Sequence, residues 1–251
     1  MSKSKTTEMD LRELLRKLPD EKKCIITNIP IDSRNIIDMG CGTGFFAYCI
    51  SEMFPTAQVT AIDGDVQYVE EALQQYRNPN LHFYHYNFTN LHLASRFDVV
   101  IFSEVIEHLP NVGTNLDMIN SLSVEDGTLF VSTDNAFFGE FLLANIYYSL
   151  TKRRPSFYLW HQQDRYYDWN HHIYSWTLST LSTLMKLYGY DLQRYWFTNH
   201  SHISTLKDMT FDAIGMLFPA FRRKIVLELK RTSEPMRQTI SQDPKTSSGR
   251  S

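Results

Sequence analysis

The chain of 251 residues is short of cysteine: it has three, an odd number, at positions 24, 41 and 49, with no metal-type pair spacing. That excludes a disulfide framework and a thiolate zinc site, and it fits the reduced thiols of an intracellular protein. A long apolar run is also missing. No stretch reaches the roughly 18 residues that a spanning helix needs, and Met1-Ser-Lys-Ser-Lys-Thr-Thr-Glu8 lacks the apolar core of a signal peptide, so a cytoplasmic protein is expected. The most apolar segment, Ala136 to Leu150, is interrupted by Gly139, Glu140 and Asn145 and reads as a helix packed on the domain, without stable membrane insertion. Nor does one sign of charge dominate. With 25 Lys and Arg against 28 Asp and Glu the net charge is −3, and the pI is near 6.3. No global basic field results, which argues against nucleic acid as a partner and against nonspecific adhesion to acidic lipid. Lys152-Arg153-Arg154 and Arg222-Arg223-Lys224 are short enough to be solvated helix ends or strand flanks. There is no internal repeat, and the sequence carries no signal for oligomeric state.

What is present is a hydrophobic content of 43%, ample for one buried core, and a regular alternation of strand and helix patterns. A helical lead-in is predicted over Met9 to Leu18. Strands are predicted at 34–39, 58–62, 81–86, 97–103 and 127–133, with helices between them, which implies parallel βαβ units and a sheet covered on both faces. The rhythm then breaks into an aromatic insertion at about 136–176, holding Phe137, Phe138, Phe141, Tyr147, Tyr148, Phe157, Tyr158, Trp160, Tyr166, Tyr167, Trp169, Tyr174 and Trp176. A helix over Thr177 to Tyr188 stopped by Gly189, and strands near 191–198 and 224–230, complete an α/β, Rossmann-like, seven-stranded, mostly parallel sheet with an aromatic cap. Residues 1–231 are expected to form a single domain, and 232–251, rich in Ser, Thr, Pro, Gln and Lys, a disordered tail.

The first strand runs Ile36-Ile-Asp-Met-Gly-Cys-Gly-Thr-Gly44 straight into a helical segment. Glycines at 40, 42 and 44 allow positive φ and leave bare backbone for a ligand. A dinucleotide loop needs G-x-G-x-x-G; the spacing here is G-x-G-x-G, and Asp38 would repel a pyrophosphate but welcome an ammonium. A cationic, adenosine-bearing ligand fits better. Asp63, at the end of the second strand and nineteen residues beyond Gly44, is placed to accept ribose hydroxyls. The plainer reading is that Asp63-Gly64-Asp65 forms a turn and caps the next helix.

Asp38-Met-Gly-Cys-Gly-Thr-Gly44, Ala61-Ile-Asp63 and Phe97-Asp-Val-Val-Ile-Phe-Ser-Glu-Val-Ile-Glu-His-Leu109 resemble class I S-adenosylmethionine-dependent methyltransferases over roughly 34–133. The resemblance implies that Asp38, Gly40, Cys41, Gly42 and Gly44 pass under S-adenosyl-L-methionine, that Asp63 and Gly64 meet its ribose, and that Asn87, Phe88 and Ser103 line its adenine and methionine sides. The family usually has an acid where this chain has Asn87, which can still accept from the adenine amine through its amide oxygen.

After the fourth strand, a helical turn starting at Glu104 would bring Glu107 and His108 onto its face at i+3 and i+4. Two carboxylates and an imidazole, joined by His172 or His171 from the insertion, suit Mg²⁺ or Mn²⁺ better than structural zinc. One reading follows the resemblance to ubiquinone-type small-molecule O-methyltransferases: His108 acts as, or near, the general base, Glu104 and Glu107 orient it or bind a cation, His172 is a further catalytic candidate, and the acceptor is an oxygen of a small, partly apolar molecule. A second follows the resemblance of Glu104, Glu107, His108, His172 and Ser132-Thr-Asp-Asn135 to metal-dependent 2′-O-methyltransferases of RNA ends. A third is a catalytically silent cofactor-binding partner protein. The bland alternatives are that Glu107-His108 merely ends a turn, that His171 and His172 cap or pack, and that the aromatics form only the core of a lid. His82, His85 and His92 read as surface or loop residues.

Overall fold

Ile36 and Ile37 are both fully buried on adjacent positions of β1 (Asn35–Met39), which means that the strand is covered on its two faces. The computed structural model describes residues 11–86, 93, 95–151, 172–199 and 206–232. Asn87, Phe88, His92, His171, the aromatics from Phe157 to Trp169 and the tail beyond 232 lie outside the described residues, as does the side chain of Tyr148.

β1 pairs in parallel with β2 (Gln58–Asp63) on one side and β4 (Phe97–Ser103) on the other. β3 (Leu81–His85) extends the sheet beyond β2, and β5 (Ser123–Asp134) extends it beyond β4. β7 (Lys224–Arg231) runs antiparallel to β5 and to β6 (Tyr190–Thr198), giving seven strands in the order β3-β2-β1-β4-β5-β7-β6. One face packs Ile36, Val59 and Val99 against α1 (Leu11–Lys17), α2 (Asp20–Asn28), α3 (Phe45–Met53) and α4 (Val66–Gln75). The other packs Ile37, Val100 and Phe102 against α5 (Val112–Leu122) and α7 (Leu178–Leu187). The strand order reverses between β1 and β4, and ligands of open α/β sheets bind beyond the carboxyl ends of the strands at such a point.

The expected strands and the seven-stranded sheet are present. β5 begins earlier than expected, at Ser123, around a left-handed Asp126 and a register shift opposite Phe97 and Val99. The lead-in is two helices, because Pro19 ends the first pattern and stands as N-cap to α2. A segment expected to pack on the domain behaves differently: α6 (Gly139–Thr151) begins beside a buried Phe138, yet Leu143, Ile146 and Leu150 are exposed. It also packs on α8 (Leu206–Leu217). Among the described residues no helix is long and apolar enough to cross a membrane.

Candidate active site

Gly40, Gly42 and Gly44 all have positive φ, at 83°, 54° and 83°, but for different reasons. A Cβ on Gly40 would lie 2.3 Å from Val105 Cγ2, and one on Gly44 would lie 2.7 Å from both Ala72 Cβ and Phe83 Cε1. Those two glycines serve close packing of the loop on its own protein. A Cβ on Gly42 would meet nothing within 4 Å, so the bare backbone there faces open space. The loop is pinned to β2: the Gly40 and Cys41 amides donate to the Ile62 carbonyl at 2.8 and 3.0 Å, and the Gly42 amide donates to Asp63 Oδ2 at 2.7 Å.

Asp63 also accepts from the Asp65 amide through Oδ1 at 2.9 Å, while Asp65 caps α4 by accepting from Gln67. The turn and the site therefore share one construction, and each Asp63 oxygen keeps a lone pair for a ligand hydroxyl. Cys41 has its side chain in the core, and burial pushes its thiol up, so its contribution to the loop is backbone. Gly64 adjoins open space as Gly42 does. Ser103 is buried with its hydroxyl 2.8 Å from Ser132 Oγ.

Asp38 is 2% exposed and its Oδ2 has no hydrogen-bond partner. Burial pushes its pKa up to about 6, with Lys22 of α2 pulling down and Asp63 pushing up. The sign for stability follows from the raised value: between the usual carboxylate range and about 6 the folded protein holds a proton that the unfolded chain has released. Stability therefore falls as pH rises through that window, by about 2–3 kcal/mol, and levels off above it. Asp38→Asn is expected to flatten this slope and raise the melting temperature of the ligand-free protein at neutral pH. Thermal unfolding of both proteins across the window checks it; parallel curves would show that Asp38 ionises normally.

The turn after β4 forms differently from the expected helix starting at Glu104. Glu104 has φ 59°, left-handed for a residue with a Cβ, and the 3₁₀ turn covers Ile106–His108. Glu104 is thereby turned toward Ser132, whose hydroxyl donates to its Oε1 at 3.1 Å, and toward the Lys224 ammonium. Lys224 also lies 2.7 Å from Asp134 Oδ1, and Asp134 Oδ2 lies 3.2 Å from His172 Nδ1. The reading of Lys224 as part of a solvated basic run is corrected: its side chain is 12% exposed and bridges two acids. Burial would lower the Lys224 pKa, but Glu104 and then Asp134 outweigh it and hold the amine charged. Burial would likewise raise Asp134, but Lys224 and then His172 leave it below the usual range.

Glu107, His108 and His172 converge, with one ligand-type atom from each within 4.8 Å of the others. The imidazoles meet edge to face at 4.7 Å. Glu107 is fully buried, neither carboxylate oxygen has a hydrogen-bond partner, and burial, then Glu104, raises its pKa. Its own carbonyl accepts from the Ile173 amide at 2.7 Å, which draws the residues after His172 to the turn. The bridge between Asn135 and Trp176 holds the same segment to the end of β5. His82 and His85 are exposed, against Gln58 and the Gly64 carbonyl. Sequence reasoning missed Lys224 and Glu21, a buried α2 acid whose pKa is raised by burial and by Glu104. A lysine opening the apolar run Ile225-Val-Leu227 was the available signal for the first.

The family model described as a methyltransferase domain matches residues 8–195. The malonyl-[acyl-carrier protein] O-methyltransferase of Acetivibrio thermocellus is 25% identical over 133 residues, 52% of this chain and 46% of that protein. The mitochondrial ubiquinone biosynthesis O-methyltransferase of Dictyostelium discoideum is 26% identical over 130 residues, 47% of this chain and 40% of that protein. The chain thus matches less than half the length of either relative. The magnesium protoporphyrin IX methyltransferase of Synechocystis PCC 6803, solved with bound SAH, superposes with a TM-score of 0.58 at 16% identity, covering 92% of this chain and 90% of that one. At that identity the likeness is one of fold.

Proposed function

From the premise that this chain belongs to the class I S-adenosylmethionine-dependent methyltransferases, we propose that it methylates an oxygen of a small, partly apolar molecule. The convergence of Glu107, His108 and His172 carries this reading. A hydroxyl or phenol acceptor must lose its proton, and an amine need not be served by two imidazoles and a buried carboxylate. Two of the curated relatives are named O-methyltransferases, which supports the same choice, while others are named N-methyltransferases, which leaves the acceptor atom to the test below.

The loop fits the cofactor on two observations: open space beside Gly42, and a buried Asp38 oxygen without a partner. When bound, S-adenosylmethionine would supply a methyl group from its sulfonium sulfur, which departs as a neutral thioether. Asp38 accepts from the amino-acid ammonium, Gly42 lets the backbone approach, and Asp63 accepts from the ribose hydroxyls. His108 takes the acceptor's proton as its oxygen gains the methyl group. His172, with Nδ1 turned to Asp134, is oriented by that carboxylate beside His108. Phe137 and Tyr174 stand on the same insertion and supply apolar surface.

Glu107, His108 and His172 also form a donor set suited to Mg²⁺ or Mn²⁺, a metal-assisted form of the same reaction. Such an ion would supply a lowered pKa to the acceptor hydroxyl. Glu104 stands apart from it, neutralised by Lys224.

The test is a calorimetric titration with S-adenosylhomocysteine, with and without Mg²⁺ or Mn²⁺, followed by turnover on catechol-type and other hydroxyl acceptors. Micromolar binding is expected, and separate heat from the metal would mark the metal-assisted form. His108→Ala should keep that affinity and slow turnover by about 10²-fold. Unchanged turnover removes His108 from the reaction, and absence of binding sinks the whole reading.

A further inference from the structure

α6 and α8 pack on one another, and both turn large apolar side chains to solvent. On α6 these are Leu143, Ile146 and Leu150, spaced i, i+3, i+7, which is one face of a helix. At the end of α8 they are Met216, Leu217 and Phe218. All six are between 47% and 79% exposed. A surface helix of a globular domain ordinarily shows charge there. From Phe141 to Thr151 the sequence has no charged residue at all, and from Met209 to Phe221 it has only Asp212, which is buried.

Charge returns at the helix ends: α6 opens with Glu140 and α8 with Lys207-Asp208, whereas the residues that follow α8 are basic. The chain leaves α8 through Pro219–Phe221 into Arg222 and Arg223. Arg222 is fixed there by donating to the Gly215 and Phe197 carbonyls at 3.0 Å. Arg223 lies with its guanidinium 5.6 Å from the Phe138 ring centroid, just before α6. In sequence, Thr151 is likewise followed by Lys152-Arg153-Arg154.

We propose that the α6–α8 face is a peripheral docking surface for an anionic lipid bilayer. Exposed aliphatic and aromatic side chains on charge-poor helix segments, with arginines directly after α8, match the apolar and headgroup layers of such a surface. A second copy of the chain fits less well, because a two-fold contact would bring the same arginines together across it. The net charge of −3 belongs to the whole chain and hides this local arrangement. The inference stands apart from the choice of methyl acceptor.

Sedimentation with vesicles tests it, using phosphatidylcholine alone and an equimolar mixture with phosphatidylglycerol. The full chain is expected to pellet with the mixed vesicles, about tenfold less with phosphatidylcholine alone, and to be released by high salt. The double variant L150D/L217D should bind the mixed vesicles about tenfold more weakly while keeping its melting temperature and its affinity for S-adenosylhomocysteine. Failure of the wild-type chain to pellet with either vesicle overturns the proposal. So does equal binding of wild type and double variant, or a wild-type dimer that ignores vesicles and is split by the double variant.

Discussion

Gly42→Val is expected to abolish S-adenosylhomocysteine binding, weakening it by more than about 10²-fold, while the protein still folds. The expectation rests on a difference between neighbouring glycines. At Gly42 a Cβ meets no protein atom within 4 Å, so the valine methyls would fill the space beside the loop and not the core. Its cost to the fold is the left-handed backbone at φ 54°, about 1–2 kcal/mol. Gly40→Ala is the control, because its Cβ would strike Val105 Cγ2 at 2.3 Å. That variant should lose stability first and binding only as a consequence. Calorimetry and thermal unfolding on both variants separate the cases. Binding by folded Gly42→Val at wild-type affinity would mean that the ligand does not pass over this loop.

The loop was legible in the sequence because it is local: strand, acid and alternating glycines lie within nine consecutive residues, and each glycine's backbone follows from its own missing Cβ. The sheet was legible for the same reason, since strand and helix periods are short-range signals. The cluster of Glu107, His108 and His172 was only half legible. Glu107 and His108 were visible as a motif, and His172 as a candidate ligand, but the rotation of Glu104 away from them depends on a left-handed residue that no spacing rule foresees. Lys224 comes from a strand 120 residues further on, brought there by the antiparallel pairing of β7 with β5, in which Asp134 stands opposite Lys224. Read in sequence, Arg222-Arg223-Lys224 is a surface triplet. In the fold, alternation along the strand edge sends the lysine inward, and the acids waiting there keep it charged.

Lys224→Met is accordingly expected to cost about 3–5 kcal/mol of stability, a fall of roughly 10 °C in melting temperature. The lysine amine is shared by Glu104 and Asp134, whose side chains are 25% and 12% exposed, and its removal leaves two partly buried carboxylates facing each other's field without their cation. The paired variant Glu104→Gln/Lys224→Met should recover part of the loss, because it removes one of the stranded charges. The pH dependence gives an independent reading. Asp134 is held below the usual carboxylate range, so its stabilisation is present at neutral pH and is lost as pH falls through its folded value. With Lys224 gone, that acid-side decline should shrink, leaving the variant and the wild type closer in stability at low pH than at neutral pH. Denaturant titrations of the three proteins at acidic and neutral pH check both statements. Additive losses with unchanged pH dependence would show that the Lys224 bridge contributes nothing beyond its packing, and would free Glu104 to join Glu107 and the two histidines as a ligand.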